Sequence, residues 1–355
     1  MRYLRLLLLP LCPLWAFITQ LRTELYLMGV FKRYIPSIPT IVVGNLSTGG
    51  TGKSPHTEYI SRLLSKKYLT SILSRGYGRS TRGYLNVKTE GTASEYGDEP
   101  LMIARHLPQV SVAVCESREK GIRTMEGYTP SPEVIVMDDA YQHLSVKAAC
   151  YFLLTTYERP FFGDYILPAG DLRELRINAS RAHCIVVSKT PYECMEDTEY
   201  ARERRELYKR YISRYSKAPV IFSTYKYSPC VIGIDGNSID IDSLAEYDVL
   251  LITGIASVTP MLRHLEDKGI KYSHMSYADH HTFSIEECEK IKNDFLNLPS
   301  GKKIVLTTEK DMVRLYGTQL EDLPLYSLPI TVDMNEEDRQ TMLSVIEGHT
   351  SLKID

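Results

Sequence analysis

The residues of this 355-residue chain that point most directly to chemistry lie in a glycine-rich segment, 40–55, which reads TIVVGNLSTGGTGKSP. An apolar run leads into the glycines, and Gly52-Lys53-Ser54 begins a predicted helix. The N–H groups of such a loop point at phosphate oxygens, its lysine pairs with the β- and γ-phosphates, and its serine hydroxyl binds Mg²⁺. Because Ser47 stands where the usual pattern has glycine, a plain glycine turn remains the alternative. The predicted nucleotide site consists of Ser47, Thr48, Gly49, Gly50, Thr51, Gly52, Lys53 and Ser54.

The predicted nucleotide is ATP rather than GTP. The Asn-Lys-x-Asp signature that binds guanine is missing from the sequence. The nearest segment, Ser188-Lys189-Thr190-Pro191, lacks the aspartate.

Two acids, Asp138 and Asp139, follow the apolar run 134–137. On a phosphate-loop sheet, a strand end is where a second Mg²⁺-binding carboxylate belongs. Adjacent strand residues point to opposite sides, so we expect one of the two to face the metal, and Asp138 is the preferred candidate. Gln142 and His143, shortly afterwards, could orient phosphate or substrate, although a histidine at such a turn is as often a structural hydrogen-bonding group.

Asp98 precedes a predicted helix and has two possible roles. It could stabilise the helix N-terminus, or it could accept the proton of a hydroxyl group that attacks a phosphate. Asp279-His280-His281 lies much later in the chain, and its histidines could tune such a proton acceptor across a cleft. Ordinary surface histidines are the alternative.

Arginines form the remaining group of candidates, because a guanidinium binds phosphate with two parallel hydrogen bonds. Arg75 and Arg79 lie on a glycine-rich turn after a predicted strand. Arg118, shortly after Cys115, and Arg173, which follows the segment 167–170 (LPAG) and precedes Glu174, are further candidates.

The elements that must position these residues alternate short β-branched runs with amphipathic stretches, which is typical of an α/β sheet with mostly parallel strands. Predicted strands of the first unit lie at 40–43, 70–73, 110–114, 134–137, 151–154, 184–187 and 220–223, with helices at 55–64, 101–106 and 197–215. A second, smaller α/β unit has predicted strands at 249–252 and 303–306 and helices at 258–268 and 285–296. We therefore predict an N-terminal helix over 1–35, a kinase-like phosphate-loop domain over 36–225 and a second domain over 226–355.

The first 33 residues are basic, then apolar, and contain Pro10, Pro13 and Trp15, the only tryptophan of the chain. Residues 14, 17, 18, 21, 25 and 28 are apolar and recur at helical spacing. We interpret the segment as an amphipathic helix at a membrane surface. The alternatives are a helix packed on the protein's own core and a cleaved or spanning segment.

The overall composition excludes two classes of function. With 42 basic and 44 acidic residues, the chain has no basic excess for binding nucleic acid. Its seven cysteines are scattered and contain no Cys-x-x-Cys pair, which argues against disulfides or a zinc site and fits a reducing compartment.

Taken together, these motifs resemble the tetraacyldisaccharide 4'-kinase family. The similarity extends in sequence order over about residues 1–315. The matching segments are 43–55 (VGNLSTGGTGKSP), 74–79 (SRGYGR), 97–100 (GDEP), 138–143 (DDAYQH), 167–174 (LPAGDLRE), 253–256 (TGIA), 279–281 (DHH) and 307–311 (TTEKD).

The resemblance implies an ATP- and Mg²⁺-dependent lipid kinase that phosphorylates the 4'-hydroxyl of tetraacyldisaccharide 1-phosphate, forming lipid IVA for lipid A. It implies Asp98 as the base assisted by His280, with Ser54, Asp138 and Glu174 at the metal or phosphate site. The implied substrate-binding residues are Asn45, Arg75, Arg79, Arg118, Gln142 and His143. We expect action at the cytoplasmic face of the inner membrane without a nucleic-acid or obligate protein partner. The alternative is a membrane-associated ATPase switch with a deviant Walker loop.

Overall fold

The computed structural model of the protein describes residues 5–299 and 301–354. Its first sheet consists of β1 Thr40–Asn45, β2 Thr70–Ser74, β3 Leu85–Asn86, β4 Ser111–Val114, β5 Val134–Asp138, β6 Cys150–Thr156, β7 Cys184–Ser188 and β8 Val220–Phe222. The strand order is β3-β4-β2-β5-β1-β6-β7-β8, and every neighbouring pair except β3 and β4 is parallel. The phosphate-loop strand β1 therefore lies in the interior of the sheet.

The helices in the described part of the chain cover both faces of this sheet and line the second unit. They are α1 Cys12–Leu27, α2 Lys53–Leu64, α3 Ala93–Tyr96, α4 Asp98–His106, α5 Arg118–Glu126, α6 Tyr192–Met195, α7 Glu199–Ile212, α8 Thr259–Asp267, α9 Ile285–Leu296, α10 Glu309–Leu315 and α11 Glu336–Thr350. Ile41 and Val43 of β1 pack with α2, α4 and α11, whereas Val42 between them packs with α5 and α7. Burial on both faces explains why the strands are continuously apolar.

The second unit contains a sheet made of β10 Cys230–Gly233, β11 Ser238–Asp240, β12 Asp248–Thr253, β13 Tyr272–Ser276, β14 Lys303–Thr308 and β15 Leu325–Leu328. Its order is β11-β10-β15-β14-β12-β13, with parallel pairing from β15 to β13 and antiparallel pairing at β10 and β11. The α/β class and the mostly parallel sheets are confirmed, and every predicted strand coincides with an observed one to within two residues at either end.

The predicted second domain, 226–355, is wrong at its C-terminal end. β9 Thr224–Tyr227 leads out of the first unit and pairs antiparallel with β16 Ile330–Asp333, which leads back. Helix α11 then packs on the first sheet, and its Met342 and Ile346 are buried in the same core as Ile41. The first unit is therefore discontinuous in sequence. The sequence did not reveal this, because an apolar helix face indicates that the helix is covered but not which sheet covers it.

The N-terminal segment forms a 3₁₀ helix, Leu6–Leu11, followed directly by α1. Neither proline interrupts it, because Pro10 lies in the 3₁₀ helix and Pro13 lies in the first turn of α1, where no backbone donor is needed. The combined stretch Leu6–Leu27, 22 residues long, is the one helical segment within the described residues whose length and composition would suit a membrane span.

The apolar face of α1 points away from the protein. Leu14, Phe17 and Ile18 are 61%, 65% and 54% exposed, so they do not pack on the protein's own core. The helix is instead attached by polar groups: Trp15 Nε1 donates to Arg173 O at 3.1 Å, and Arg22 Nη2 donates to Gln142 O at 3.1 Å. The exposure favours the membrane-surface interpretation over self-packing.

All seven cysteines lie within the described chain, where they are free thiols.

Candidate active site

The glycine-rich segment forms a loop between β1 and α2. Gly49 and Gly52 adopt φ values of 100° and 83°, a conformation that strongly favours glycine. Asn45 Nδ2 donates to Thr51 Oγ1 at 2.7 Å, and Ser188 Oγ donates to Thr51 O at 2.8 Å, so the loop is held from both sides. Asn45 is fully buried beneath the loop. That position supports a role in shaping the loop rather than the expected contact with substrate.

Acidic side chains converge where α2 begins. Ser54 Oγ donates to Glu99 Oε2 at 2.7 Å and lies 3.3 Å from Asp138 Oδ2, while Thr57 Oγ1 donates to Asp138 Oδ1 at 3.0 Å. Burial, reinforced by the charges of Glu99 and Asp139, raises the pKa of Asp138 to about 6. A buried hydroxyl and two carboxylates form a set of hard oxygen donors of the kind that Mg²⁺ prefers.

The carboxylate of Asp139 lies beside Lys53, the lysine of the loop. The Asp139 backbone has φ of 45°, and its carboxylate lies 3.8 Å from Lys53 Nζ and 3.2 Å from Arg173 Nη1. Burial alone would raise the pKa of Asp139, but the positive charges of Lys53 and Arg173 outweigh burial and lower it. Asp139 therefore remains a carboxylate that orients Lys53.

Glu174, expected at the metal or phosphate site, is paired elsewhere. It is 4% exposed and accepts a hydrogen bond from Arg181 Nη2 at 2.6 Å. Besides Asp138, the carboxylate that contacts Ser54 is Glu99, for which the sequence predicted no role. Glu99 directly follows Asp98 in the first turn of α4, so two adjacent acids before a helix were the available signal.

Asp98 is the point where the two units meet. It is 6% exposed, and its side chain does not form the N-terminal cap of α4, whose capping residue is Gly97. Asp98 Oδ2 lies 3.0 Å from His280 Nδ1 and 3.0 Å from Arg314 Nε. Burial would raise the pKa of Asp98, but the charge of Lys310 and the hydrogen bond and charge of Arg314 outweigh it and lower the pKa.

His280, rather than its neighbour, approaches Asp98. His280 has a left-handed backbone with φ of 59°, which turns its ring towards the first unit. His281 Nε2 lies 2.9 Å from Glu287 Oε2 inside the second unit, and its ring stacks on Tyr277. The sequence left the choice between the two histidines open, and the backbone conformation distinguishes them.

Two of the three arginines expected to bind substrate are buried by contacts within the protein. The Arg79 side chain is 3% exposed, and its Nη2 donates to Glu116 at 2.6 Å and to Gly83 O at 2.7 Å. Arg118 is 1% exposed and donates to Cys115 O at 2.7 Å and to Asp138 O at 2.9 Å. These two positions do not support direct substrate contact. Arg75 is exposed and forms no hydrogen bond to any other residue that the structure describes.

Gln142 and His143 form a turn next to the loop and α1. Gln142 Nε2 donates to Asn45 O at 2.8 Å, and Gln142 Oε1 accepts from Arg173 Nη1 at 3.2 Å. Burial, together with the charges of Arg118 and Arg75, lowers the pKa of His143 to about 3. His143 is therefore neutral at physiological pH in a strongly positive environment.

The chain resembles known proteins over nearly its whole length. A model of the family described as tetraacyldisaccharide-1-P 4'-kinase matches residues 4–347. Proteins named tetraacyldisaccharide 4'-kinase from Flavobacterium psychrophilum and Flavobacterium johnsoniae are 36% and 38% identical, over 99% and 98% of both chains. A crystal structure of LpxK from Aquifex aeolicus in complex with ATP superposes with a TM-score of 0.76 at 31% identity, covering 98% of this chain and 99% of that one.

Proposed function

Because the chain belongs to the tetraacyldisaccharide-1-P 4'-kinase family and is a kinase of the lipid A pathway, we propose how its residues transfer the γ-phosphoryl group of ATP to the 4'-hydroxyl of tetraacyldisaccharide 1-phosphate. The observation that carries the proposal is the meeting of the phosphate loop with an acid–histidine pair from two units. Glu99, bound to Ser54, is adjacent to Asp98, which contacts His280. The acceptor hydroxyl and the nucleotide phosphates would meet between these groups.

In the proposed mechanism, Asp98 accepts the proton of the hydroxyl while the loop holds the phosphates. A sugar hydroxyl is a weak nucleophile, so alignment and charge neutralisation supply most of the catalysis. Lys53, oriented by Asp139, pairs with the phosphate oxygens. The lowered pKa of Asp98 keeps it ionised and ready to accept a proton.

The donor set at Ser54 fits Mg²⁺. Ser54, Asp138 and Glu99 would hold the ion, and the raised pKa of Asp138 indicates a crowded negative site that a cation would relieve. When bound, Mg²⁺ supplies neutralisation of the phosphate charge. Glu174 stays outside this proposed set because it is paired with Arg181.

We also propose that the enzyme works at the cytoplasmic face of the inner membrane. The acyl chains of the substrate resist leaving a bilayer, at about 0.8 kcal/mol per buried CH₂. The exposed Leu14, Phe17 and Ile18 of α1 suit an apolar surface. The contact of Arg22 links this helix to the Gln142 turn beside the phosphate loop, and the contact of Trp15 links it to Arg173.

The experiment that tests the reaction measures transfer of labelled γ-phosphate from ATP to purified tetraacyldisaccharide 1-phosphate in detergent micelles. We expect a labelled lipid with wild type and a loss of at least about a hundredfold with Asp98→Ala, as removal of a general base predicts. Lipid-independent ATP hydrolysis without labelled lipid would overturn the proposal in favour of the ATPase switch.

The experiment that tests the membrane site is co-flotation with vesicles of bacterial phospholipid. Phe17→Ser is expected to reduce the bound fraction, whereas Glu24→Ser, an exposed polar position on the same helix, is expected to leave it unchanged. Equal binding by wild type and Phe17→Ser would contradict the assignment of this helix face.

A further inference from the structure

The segment 307–314 of the second unit carries two basic residues to which the proposed mechanism gives no role. Lys310 and Arg314 lie one turn apart on α10, the helix that packs against α4 of the first unit. Arg314 contacts Asp98, the proposed proton acceptor, and Lys310 contacts His280, which assists it. The Arg314 side chain is 7% exposed and that of Lys310 is 19% exposed, so neither is an ordinary surface charge.

Arg314 is held rigidly from within its own unit. Its Nη1 donates to Gly254 O at 2.9 Å and to Asp311 Oδ1 at 2.8 Å. Asp311 is fully buried and also accepts from Gly254 N at 2.9 Å and Thr308 Oγ1 at 2.8 Å. The segments TGIA and TTEKD, which sequence analysis recognised without assigning a role, therefore support one guanidinium.

The Nε–Nη2 edge of this guanidinium contacts a single oxygen of Asp98. Arg314 Nε and Nη2 both donate to Oδ2, which also accepts from His280. Oδ1 accepts only the N–H of Glu99, at 3.0 Å, among the hydrogen bonds of the described residues. A carboxylate oxygen accepts about two hydrogen bonds, so Oδ1 is the atom with remaining capacity for the proton of an acceptor hydroxyl.

Lys310 contacts Nε2 of His280, the ring nitrogen that does not face Asp98. Its Nζ lies 3.1 Å from His280 Nε2, and an ammonium group can only donate. In this contact Nε2 is the acceptor, which assigns the ring proton to Nδ1. Nδ1 lies 3.0 Å from the acceptor Asp98 Oδ2, closer than the 3.4 Å that separates it from the donor Arg314 Nη2. The same Nζ lies 3.3 Å from Glu99 Oε1, whose other oxygen accepts from Ser54.

We propose that Arg314 and Lys310 are positioning residues of the phosphoryl-transfer site: Arg314 orients Asp98 so that Oδ1 receives the proton, and Lys310 holds His280 in the Nδ1–H tautomer. The inference rests on the proposed function. In the step itself, the acceptor oxygen forms a bond to the γ-phosphorus while its proton passes to Asp98 Oδ1. The bond between that phosphorus and the β–γ bridging oxygen breaks, and ADP leaves with the electron pair.

A double-mutant cycle tests the role of Arg314. Arg314→Met is expected to lower kcat for lipid phosphorylation at least about tenfold with the Kd for ATP unchanged, and Arg314→Lys is expected to restore part of the loss. In an Asp98→Asn background, adding Arg314→Met is expected to change kcat less than about twofold, because the two residues act as one unit. Multiplicative losses, or a parallel loss of ATP affinity, would overturn the proposal.

Arg105→Met is the matched control for the loss of a charge at the same helix interface. Arg105 lies on α4, but its guanidinium donates to Thr89 O and Gly91 O and stacks over Tyr316 instead of facing Asp98. We expect this variant to keep the kcat of wild type. An equal fall in kcat with Arg105→Met would show that any charge lost at this interface has the same effect.

The tautomer of His280 is measured without substrate, by ¹⁵N NMR of histidine-labelled enzyme in mildly alkaline buffer. His280→Asn identifies the signal. Wild type is expected to show protonated Nδ1, and Lys310→Met a mixture of tautomers, with Lys310→Arg restoring the wild-type pattern. Protonated Nε2 in wild type, or no change with Lys310→Met, would overturn the assignment. Because this measurement needs no lipid, its failure is distinct from an absence of lipid phosphorylation by wild type.

Discussion

The perturbation that best separates structural from substrate-binding arginines is Arg118→Met, with Arg75→Met as its matched partner. Both residues follow strands of the first sheet at the edge that carries the phosphate loop, and sequence patterns treat them alike. In the structure, Arg118 is 1% exposed and Arg75 is exposed. Methionine preserves most of the apolar stem of arginine and removes the charge and every donor.

The expected destabilisation by Arg118→Met follows from two opposing effects. The variant loses charge-assisted hydrogen bonds of 2.7 and 2.9 Å, at about 1.5–3 kcal/mol each. It also removes a buried charge, whose desolvation lowers the pKa of Arg118 from 12.5 to about 10, equivalent to about 3 kcal/mol. The net loss of folding free energy is about 1.5 kcal/mol, or about 2 °C in Tm for a protein of this size.

The assay combines thermal unfolding with lipid and ATP kinetics. Arg118→Met is expected to lower Tm while leaving the KM for lipid within about twofold of wild type. Arg75→Met is expected to leave Tm unchanged and to raise the KM for lipid about tenfold, the effect of losing about 1.4 kcal/mol of phosphate binding. If Arg118→Met kept the wild-type Tm and weakened lipid binding as Arg75→Met does, the assignment of Arg118 as a structural residue would be refuted.

Three further predictions concern other sites. Glu99→Gln should raise the Mg²⁺ concentration for half-maximal activity about tenfold while Glu174→Gln should not, and the reverse order in a Mg²⁺ titration would restore Glu174 to the metal site. Lys189 lies beside the phosphate loop: its Nζ is 4.0 Å from the position that a β-carbon on Gly50 would occupy, and its backbone has φ of 54°. Lys189→Met should therefore raise the Kd for ATP, measured by calorimetry, about fivefold. An unchanged Kd would refute a contact between Lys189 and the nucleotide. Burial and the charge of His349 lower the pKa of His183 to about 4, so the unfolded chain takes up this proton first and stability should fall as pH drops from about 6.5 towards 4. After discounting for partial exposure, His183 accounts for about 1 kcal/mol of the loss in urea unfolding, and His183→Phe should lose about that much less than wild type; an equal loss in the two proteins would assign it to other groups.

Local patterns predicted most of the first unit. The strand that enters the phosphate loop, the glycines at positive φ and the lysine and serine that begin α2 are neighbours in sequence, so their chemistry is visible without tertiary structure. The predicted strand positions are confirmed because strands buried on both faces must be apolar throughout. The return of α11 to the first sheet was missed, since an apolar helix face is compatible with either sheet.

The sequence by itself determined the nucleotide loop, the α/β class and the family, because these are carried by short, contiguous patterns. Tertiary structure alone decided which acids and bases meet. Asp98, His280 and Arg314 are more than thirty residues apart in sequence yet converge on one carboxylate oxygen. Glu99 rather than Glu174 contacts Ser54, and Arg118 is buried while Arg75 is exposed. Hydrogen bonding and desolvation depend on distances of a few ångströms, and only the packing of the two units sets those distances.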